Sequence, residues 1–253
     1  MTTDDSRFDR WMEALEARHL ADLTFPEVSR ALRALSSAYV QRRSRLAGGA
    51  ALDGAGKRAA FALFYGPLHY LLLRDLVRAL PGATRGLSRF ADLGCGTGAA
   101  GAAWAGVCGR AAEGVGIDRH PWALAEAART YREFGLVART RQGDAASAPL
   151  PKSPCAIVAA FTVNELADQG RAVLLPRLLE RAAHGDSILV VEPIARSVTP
   201  WWNRWSGAFA AAGGRADEWR ISVELPPIVA KLDRSAGLNH RELTARSLWL
   251  PAR

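Results

Sequence analysis

The pattern of apolar and polar positions divides the chain into two regimes. Up to residue 88, apolar residues recur three and four apart in segments such as DRWMEALEARHL and FPEVSRALRALSSAYVQRRSRL, the period of helices with one buried stripe. A Gly/Ala-rich break, AGGAALDGAG (47–56), precedes a third helix, GPLHYLLLRDLVRAL (66–80), which Pro81-Gly82 stops. From Arg89 onward, short apolar runs alternate with amphipathic helices. A run without polar alternation is a strand covered on both faces, so this region predicts a mostly parallel, doubly wound α/β sheet. Its strands are RFADL (89–93), GVGID (114–118), VARTRQ (137–142), CAIVAAF (155–161) and SILVVEP (187–193). Two alternating tail segments, EWRISVEL and LTARSLWLPAR, predict an antiparallel pair at one sheet edge. The expected organisation is a helical extension or lid over residues 1–88 and a core domain over 89–253.

Charge changes this picture little. The net charge of +8 and pI near 10.1 suit a phosphate-rich partner. The only lysines are Lys57, Lys152 and Lys231, so the basicity is an arginine skew that a coding bias also produces. No segment reaches the roughly 18 continuous apolar residues of a membrane span. The first residues carry acids where a signal peptide carries bases, and a cytoplasmic protein is expected. Cys95, Cys108 and Cys155 form neither a C-x-x-C pair nor a zinc-spaced set, so no metal is expected.

The chemistry concentrates in ADLGCGTGAAG (91–101). Gly96, Gly98 and Gly101 spell G-x-G-x-x-G, the dinucleotide pattern, while Asp92 opens D-x-G-x-G-x-G. Both patterns need glycine for a tight turn that brings backbone close to a ligand, so glycine does not choose between them. Charge does. An acid at Asp92 repels a pyrophosphate but attracts the ammonium and sulfonium of S-adenosylmethionine. Asp118, 20 residues beyond Gly98 at the end of the second strand, is placed to accept ribose hydroxyls from either cofactor. Asp144, after the third strand, is placed to accept an adenine amine, with the Ala145 amide facing the ring.

With these residues in place, the chain resembles the class I S-adenosylmethionine-dependent methyltransferases. ADLGCGTG matches their first motif, GIDRH the second and GDA the third, over roughly residues 89–193. The resemblance implies a seven-stranded Rossmann-like sheet and S-adenosylmethionine as cofactor. It assigns binding roles to Asp92, Gly94, Gly96, Gly98, Asp118 and Asp144; Cys95, Arg119 and Ala145 lie within the same motifs, and Phe161 lines the cofactor's side. A more distant resemblance, in the N-E-L turn and the VVEP strand, is to a mitoribosome-associated methyltransferase group. That group carries a cysteine cluster near its C-terminus, and this tail has no cysteine after Cys155.

Acceptor-side residues are expected after the fourth strand, in AAFTVNELAD, where Asn164 and Glu165 are the polar candidates; Glu192 ends the fifth strand on the same edge. These three are the candidate catalytic residues. The stretch is not N-P-P-Y, which makes exocyclic base amines a poorer expectation. Cys155 begins its strand at the opposite edge and reads as a small buried residue. Trp201, Trp202 and Trp205 share a helix face that stacks a flat ligand or, more commonly, packs on the sheet. His69, Tyr70 and His240 are further candidates for closing over the site. Arg30, Arg33, Arg42, Arg43 and Arg45 form the best local case for a nucleic-acid surface, against the commoner reading of a solvated helical face. The expected function is methyl transfer to an unidentified acceptor, RNA or a small molecule; the alternative is a noncatalytic ribosome-associated or RNA-binding factor that keeps the fold.

Overall fold

A computed structural model describes residues 3–41, 52–85, 88–109, 112–195 and 199–252 of the chain. Its framework is one seven-stranded sheet. The strands are β1 (Arg89–Leu93), β2 (Glu113–Asp118), β3 (Val137–Gln142), β4 (Ala156–Ala160), β5 (Ser187–Glu192), β6 (Arg215–Ser222) and β7 (Glu242–Leu250). They lie in the order β3-β2-β1-β4-β5-β7-β6, with β1 to β5 parallel, β7 antiparallel to β5, and β6 antiparallel to β7. The tail segments thus form the expected antiparallel pair, in which β7 alone runs against the rest. The strand order reverses beside β1, and the crevice at such a switch point, at the carboxyl ends of the strands, is where α/β sheets bind ligands.

The helices are α1 (Thr3–His19), α2 (Phe25–Gln41), α3 (Ala55–Ala60), α4 (Gly66–Ala79), α5 (Ala99–Cys108), α6 (Pro121–Glu133), α7 (Asp168–Ala183), α8 (Trp202–Ala211) and α9 (Pro227–Ser235). Two of them depart from the sequence reading. The third helix begins well before residue 66, because a π-helical segment, Phe61–Tyr65, joins α3 to α4 without a break. Pro67 lacks the N–H that an unbroken α-helix would use there, and a π-bulge absorbs that defect. Helix α9, between the tail strands, has no counterpart in that reading; Ile228, Val229 and Leu232 bury its one apolar stripe.

Alternation along β1 splits the core. Ala91 and Leu93 face the side covered by α7 and α8, whereas Phe90 and Asp92 face α5, α6 and the N-terminal helices. In β2, a Cβ on Gly114 would stand 2.1 Å from the Phe90 ring, and one on Gly116 would stand 2.7 Å from the Tyr131 hydroxyl. Those glycines make room for aromatic rings crossing the sheet.

Helices α1 to α4 share a single apolar cluster with α5, α6, α9 and that face of the sheet. Trp11, 1% exposed, donates its indole N–H to Thr130 Oγ1 at 3.1 Å and packs with Phe8, Tyr70 and Phe134. Fully buried Glu126 on α6 pairs with Arg18 and His19 of α1 and with Arg129. Burial alone would raise its pKa, but the hydrogen bonds and charges of His19 and Arg18 outweigh it and hold the carboxyl below its ordinary value. Tyr70 is therefore a core residue rather than a site residue.

Candidate active site

The loop between β1 and α5 is shaped by three glycines in left-handed backbone: Gly94 (φ 65°), Gly96 (φ 51°) and Gly98 (φ 79°). At Gly94 a Cβ would fall 2.4 Å from Thr162 Oγ1, and Thr162 uses that oxygen to donate to the Leu93 carbonyl at 2.8 Å. The close approach welds the end of β1 to the turn after β4. A Cβ on Gly101 would meet the Phe90 ring at 2.7 Å, so the last glycine of the dinucleotide pattern serves helix packing instead.

Asp92 is almost wholly buried, and its Oδ2 accepts from the Gly101 amide at 2.9 Å and from the Tyr131 hydroxyl at 3.0 Å. Burial pushes its carboxyl up to about 6; the two hydrogen bonds offset part of that rise, and the charge of Asp118 adds to it. The sequence led to the expectation that Asp92 attracts a ligand ammonium; the structure gives it a bracing role that ties β1 to α5 and α6. Asp118 accepts the Gly96 amide through Oδ2 at 2.9 Å and the His120 amide through Oδ1 at 2.8 Å. Cys95 points inward, where a Cβ on Gly116 would come within 3.0 Å of its sulfur, and its thiol approaches the Gly96 carbonyl at 3.9 Å. Burial, followed by the charges of Asp92 and Asp118, drives its thiol well above the ordinary range.

Asp144 takes the Ala146 amide at 2.7 Å through Oδ1 and pairs with the exposed Arg119 through Oδ2. Burial works to raise its pKa, but Arg119 and the Ala146 amide prevail and hold the carboxyl low. The Ala145 side chain is buried in the core beneath this turn.

Above the loop stands an aromatic wall that the sequence showed only in part. Phe61, Tyr65 and His69 follow one another at intervals of four along the π-bulged helix, and their rings lie 5.9 to 6.5 Å apart. A Cβ on Gly96 would touch the Phe61 ring at 3.6 Å, and one on Gly66 would stand 3.0 Å from Thr97 Oγ1. The helix thus lies directly on the glycine loop. His69 stacks on Phe161 with ring centres 4.2 Å apart and planes 18° from parallel. Phe161 is the one non-glycine residue with positive φ, 58°, among the described residues, a conformation that costs about 1–2 kcal/mol. Its N–H donation to the Val191 carbonyl at 2.8 Å and the stack hold it there. Burial lowers the His69 pKa to about 4, so the imidazole is neutral at pH 7.

Of the remaining candidates, Glu165 is exposed and Asn164 half-buried in the short turn after Phe161. The Asn164 amide donates to Glu192 Oε1 at 3.1 Å, so Glu192 lies beneath that turn. Burial, the largest influence on it, pushes the Glu192 carboxyl up to about 8. Trp202 and Trp205 are buried against the sheet, which is the packing reading of that helix. His240 pairs with Asp233 and packs on Phe64 rather than entering the site. Cys155 is buried at the far edge, its amide held by Asp186. Arg33 bonds Ser29 and the Ser235 carbonyl, tying α2 to α9, and Arg30 is exposed; Arg42, Arg43 and Arg45 lie outside the described residues. Among those residues no group of His, Cys, Asp and Glu could hold a metal, and no helix is long and apolar enough to cross a membrane.

Residues 90–184, from β1 to the end of α7, match the family described as Methyltransferase domain. The chain carries a methyltransferase domain. Its cofactor is S-adenosylmethionine, and the glycine-rich turn after β1 with an acid at the end of β2 has the chemistry to receive that ligand. Two solved structures share the fold. The mitomycin 7-O-methyltransferase MmcR is 14% identical with a TM-score of 0.53, covering 96% of this chain and 72% of its own. A SAM-dependent methyltransferase from Leishmania major is 16% identical with a TM-score of 0.52, covering 88% and 82%. No curated protein aligns significantly with the chain, and the distant resemblance to the mitoribosome-associated group finds no support in these comparisons.

Proposed function

We propose that this methyltransferase acts on a planar acceptor presented at the Phe161–Glu165 turn, with an RNA base as the first class to test. The observation that carries the reading is the His69–Phe161 stack at the end of β4, beside the glycine loop. Aromatic faces that close together on one another in the free protein offer a flat group the same surface in exchange. The net charge of +8 favours a nucleic acid over a neutral small molecule.

Asp118 would hold the ribose of S-adenosylmethionine, Asp144 and Ala145 its adenine, and the glycine loop its methionine end. The cofactor supplies a methyl group activated on sulfonium. The chain's residues orient the acceptor, exclude water and leave room for in-line approach. His69, being neutral at pH 7, is available to accept a hydrogen bond from an acceptor N–H or O–H.

The test is transfer of labelled methyl from S-adenosylmethionine into fractionated cell extract. Ribonuclease-sensitive label supports the RNA reading, and label confined to small molecules replaces it. Intact S-adenosylhomocysteine binding with no transfer to any fraction overturns the reading in favour of a noncatalytic binding factor.

A further inference from the structure

A second polar pocket lies on the same edge of the sheet but on the opposite face from His69. Along β5, Ile188 and Val190 are buried against α7 and α8, and Glu192, two residues on, takes the same face. It stands directly opposite Arg246 of β7, which stands directly opposite Glu218 of β6. Opposed residues of antiparallel strands share a face, so Arg246 lies between two carboxyl groups. Arg246 is 3% exposed, with its guanidinium 4.2 Å from the centre of the Trp202 ring. It lines a cavity of about 290 Å³ with Thr199, Pro200, Trp202, Asn203 and Glu218.

Two further features give this cavity a preference. The first turn of α8 opens beside it, and no side chain caps that turn, so the positive end of the helix adds to the guanidinium. Glu192 is largely protonated at pH 7 and brings little negative charge to Arg246. Glu218 opposes an anion, but it is exposed at the rim, where solvent weakens its charge.

We propose that this cavity binds an anionic group, a phosphate or a carboxylate, carried by the methyl acceptor at a distance from the methylated atom. Arg246 and the start of α8 hold the charge, and Trp202 forms the apolar wall. The owner of the anion rests on the acceptor reading above, whereas the anion site does not.

The test follows the indole N–H resonances of Trp201 and Trp202 in the full-length protein during titration with sodium phosphate and, separately, sodium acetate, at constant ionic strength. Saturable shifts on the order of millimolar are expected, the strength of an isolated small anion. They should vanish in Arg246→Met, persist more weakly in Arg246→Lys, and tighten about twofold to fivefold in Glu218→Gln, which removes an exposed like charge. Saturation by phosphate alone assigns a phosphoryl-bearing acceptor, and by acetate alone a carboxylate-bearing one. Linear, unsaturable shifts, or equal titration of wild type and Glu218→Gln, overturn the proposal even if Arg246→Met fails to fold. S-adenosylhomocysteine binding on the same samples separates the two readings: its loss in the wild type counts against the methyltransferase site, and its retention without anion binding counts against this pocket alone.

Discussion

Asp92 offers the sharpest test, because its charge and its bracing role make opposite demands. Replacing it with Asn keeps an oxygen for the Gly101 amide and the Tyr131 hydroxyl but removes the buried charge. Burial, the dominant influence, raises the Asp92 carboxyl from 3.8 to about 6, so the folded state favours the protonated form. Between those two values the folded protein binds more protons than the unfolded chain, and stability rises as pH falls. Above about pH 6 the wild type bears the whole penalty, worth about 3 kcal/mol for a rise of this size; below the unfolded value it bears none. Asp92→Asn is free of this dependence. In urea unfolding monitored from about pH 3.5 to about pH 7.5, the variant should gain about 3 kcal/mol on the wild type across that window, since titrating groups that do not interact with Asp92 cancel in the difference. A difference that stays flat with pH would refute the claim that Asp92 is held against its own ionisation. S-adenosylhomocysteine affinity at about pH 7.5 should meanwhile fall, because the ligand's ammonium loses a negative partner. A variant both more stable and a weaker binder is a stability–function trade at the first acid of the loop.

Three other outcomes follow from the geometry. Gly94→Ala puts a Cβ 2.4 Å from Thr162 Oγ1 at a φ of 65°, and should cost at least the left-handed penalty of about 1–2 kcal/mol in thermal unfolding. Calorimetry should also show weaker S-adenosylhomocysteine binding; a wild-type melting temperature and affinity would remove the weld between β1 and the acceptor turn. Asp118→Ala should weaken S-adenosylhomocysteine binding by about 1–3 kcal/mol as the ribose loses a charged acceptor, and an unchanged affinity would count against that role. Glu126→Gln should destabilise the fold by about 1.5–3 kcal/mol at neutral pH by weakening the tie to Arg18 and His19. Since the wild-type carboxyl sits below its ordinary value of 4.5, this contribution is complete above that pH and lost as pH falls through the folded value, so acid unfolding curves of the two proteins should converge.

The order in which strands appear, the class of fold and the tight glycine turn after β1 were all legible in the chain. Those properties are local: uninterrupted apolar runs mark doubly covered strands, and closely spaced glycines mark a tight turn in left-handed backbone. The strands RFADL and VARTRQ coincide with β1 and β3 because their limits are set by nearby turn residues. Which side chains meet depends on the assembled fold. Phe61 and Tyr65 carried no signal, since an aromatic residue in a helix reads as core until the helix is known to lie on the glycine loop. The π-bulge before Pro67 was equally hidden, because it answers a packing demand as well as a missing N–H. Glu192 and Arg246 became neighbours through the register of β5 with β7, a pairing between strands far apart in the chain. Asp92 shows both levels in one residue: its position in the motif pointed to the cofactor, and only the folded structure turned its carboxylate toward Gly101 and Tyr131. Periodicity fixes which face of an element is apolar, but contact between faces depends on register and crossing, which no local stretch of chain contains.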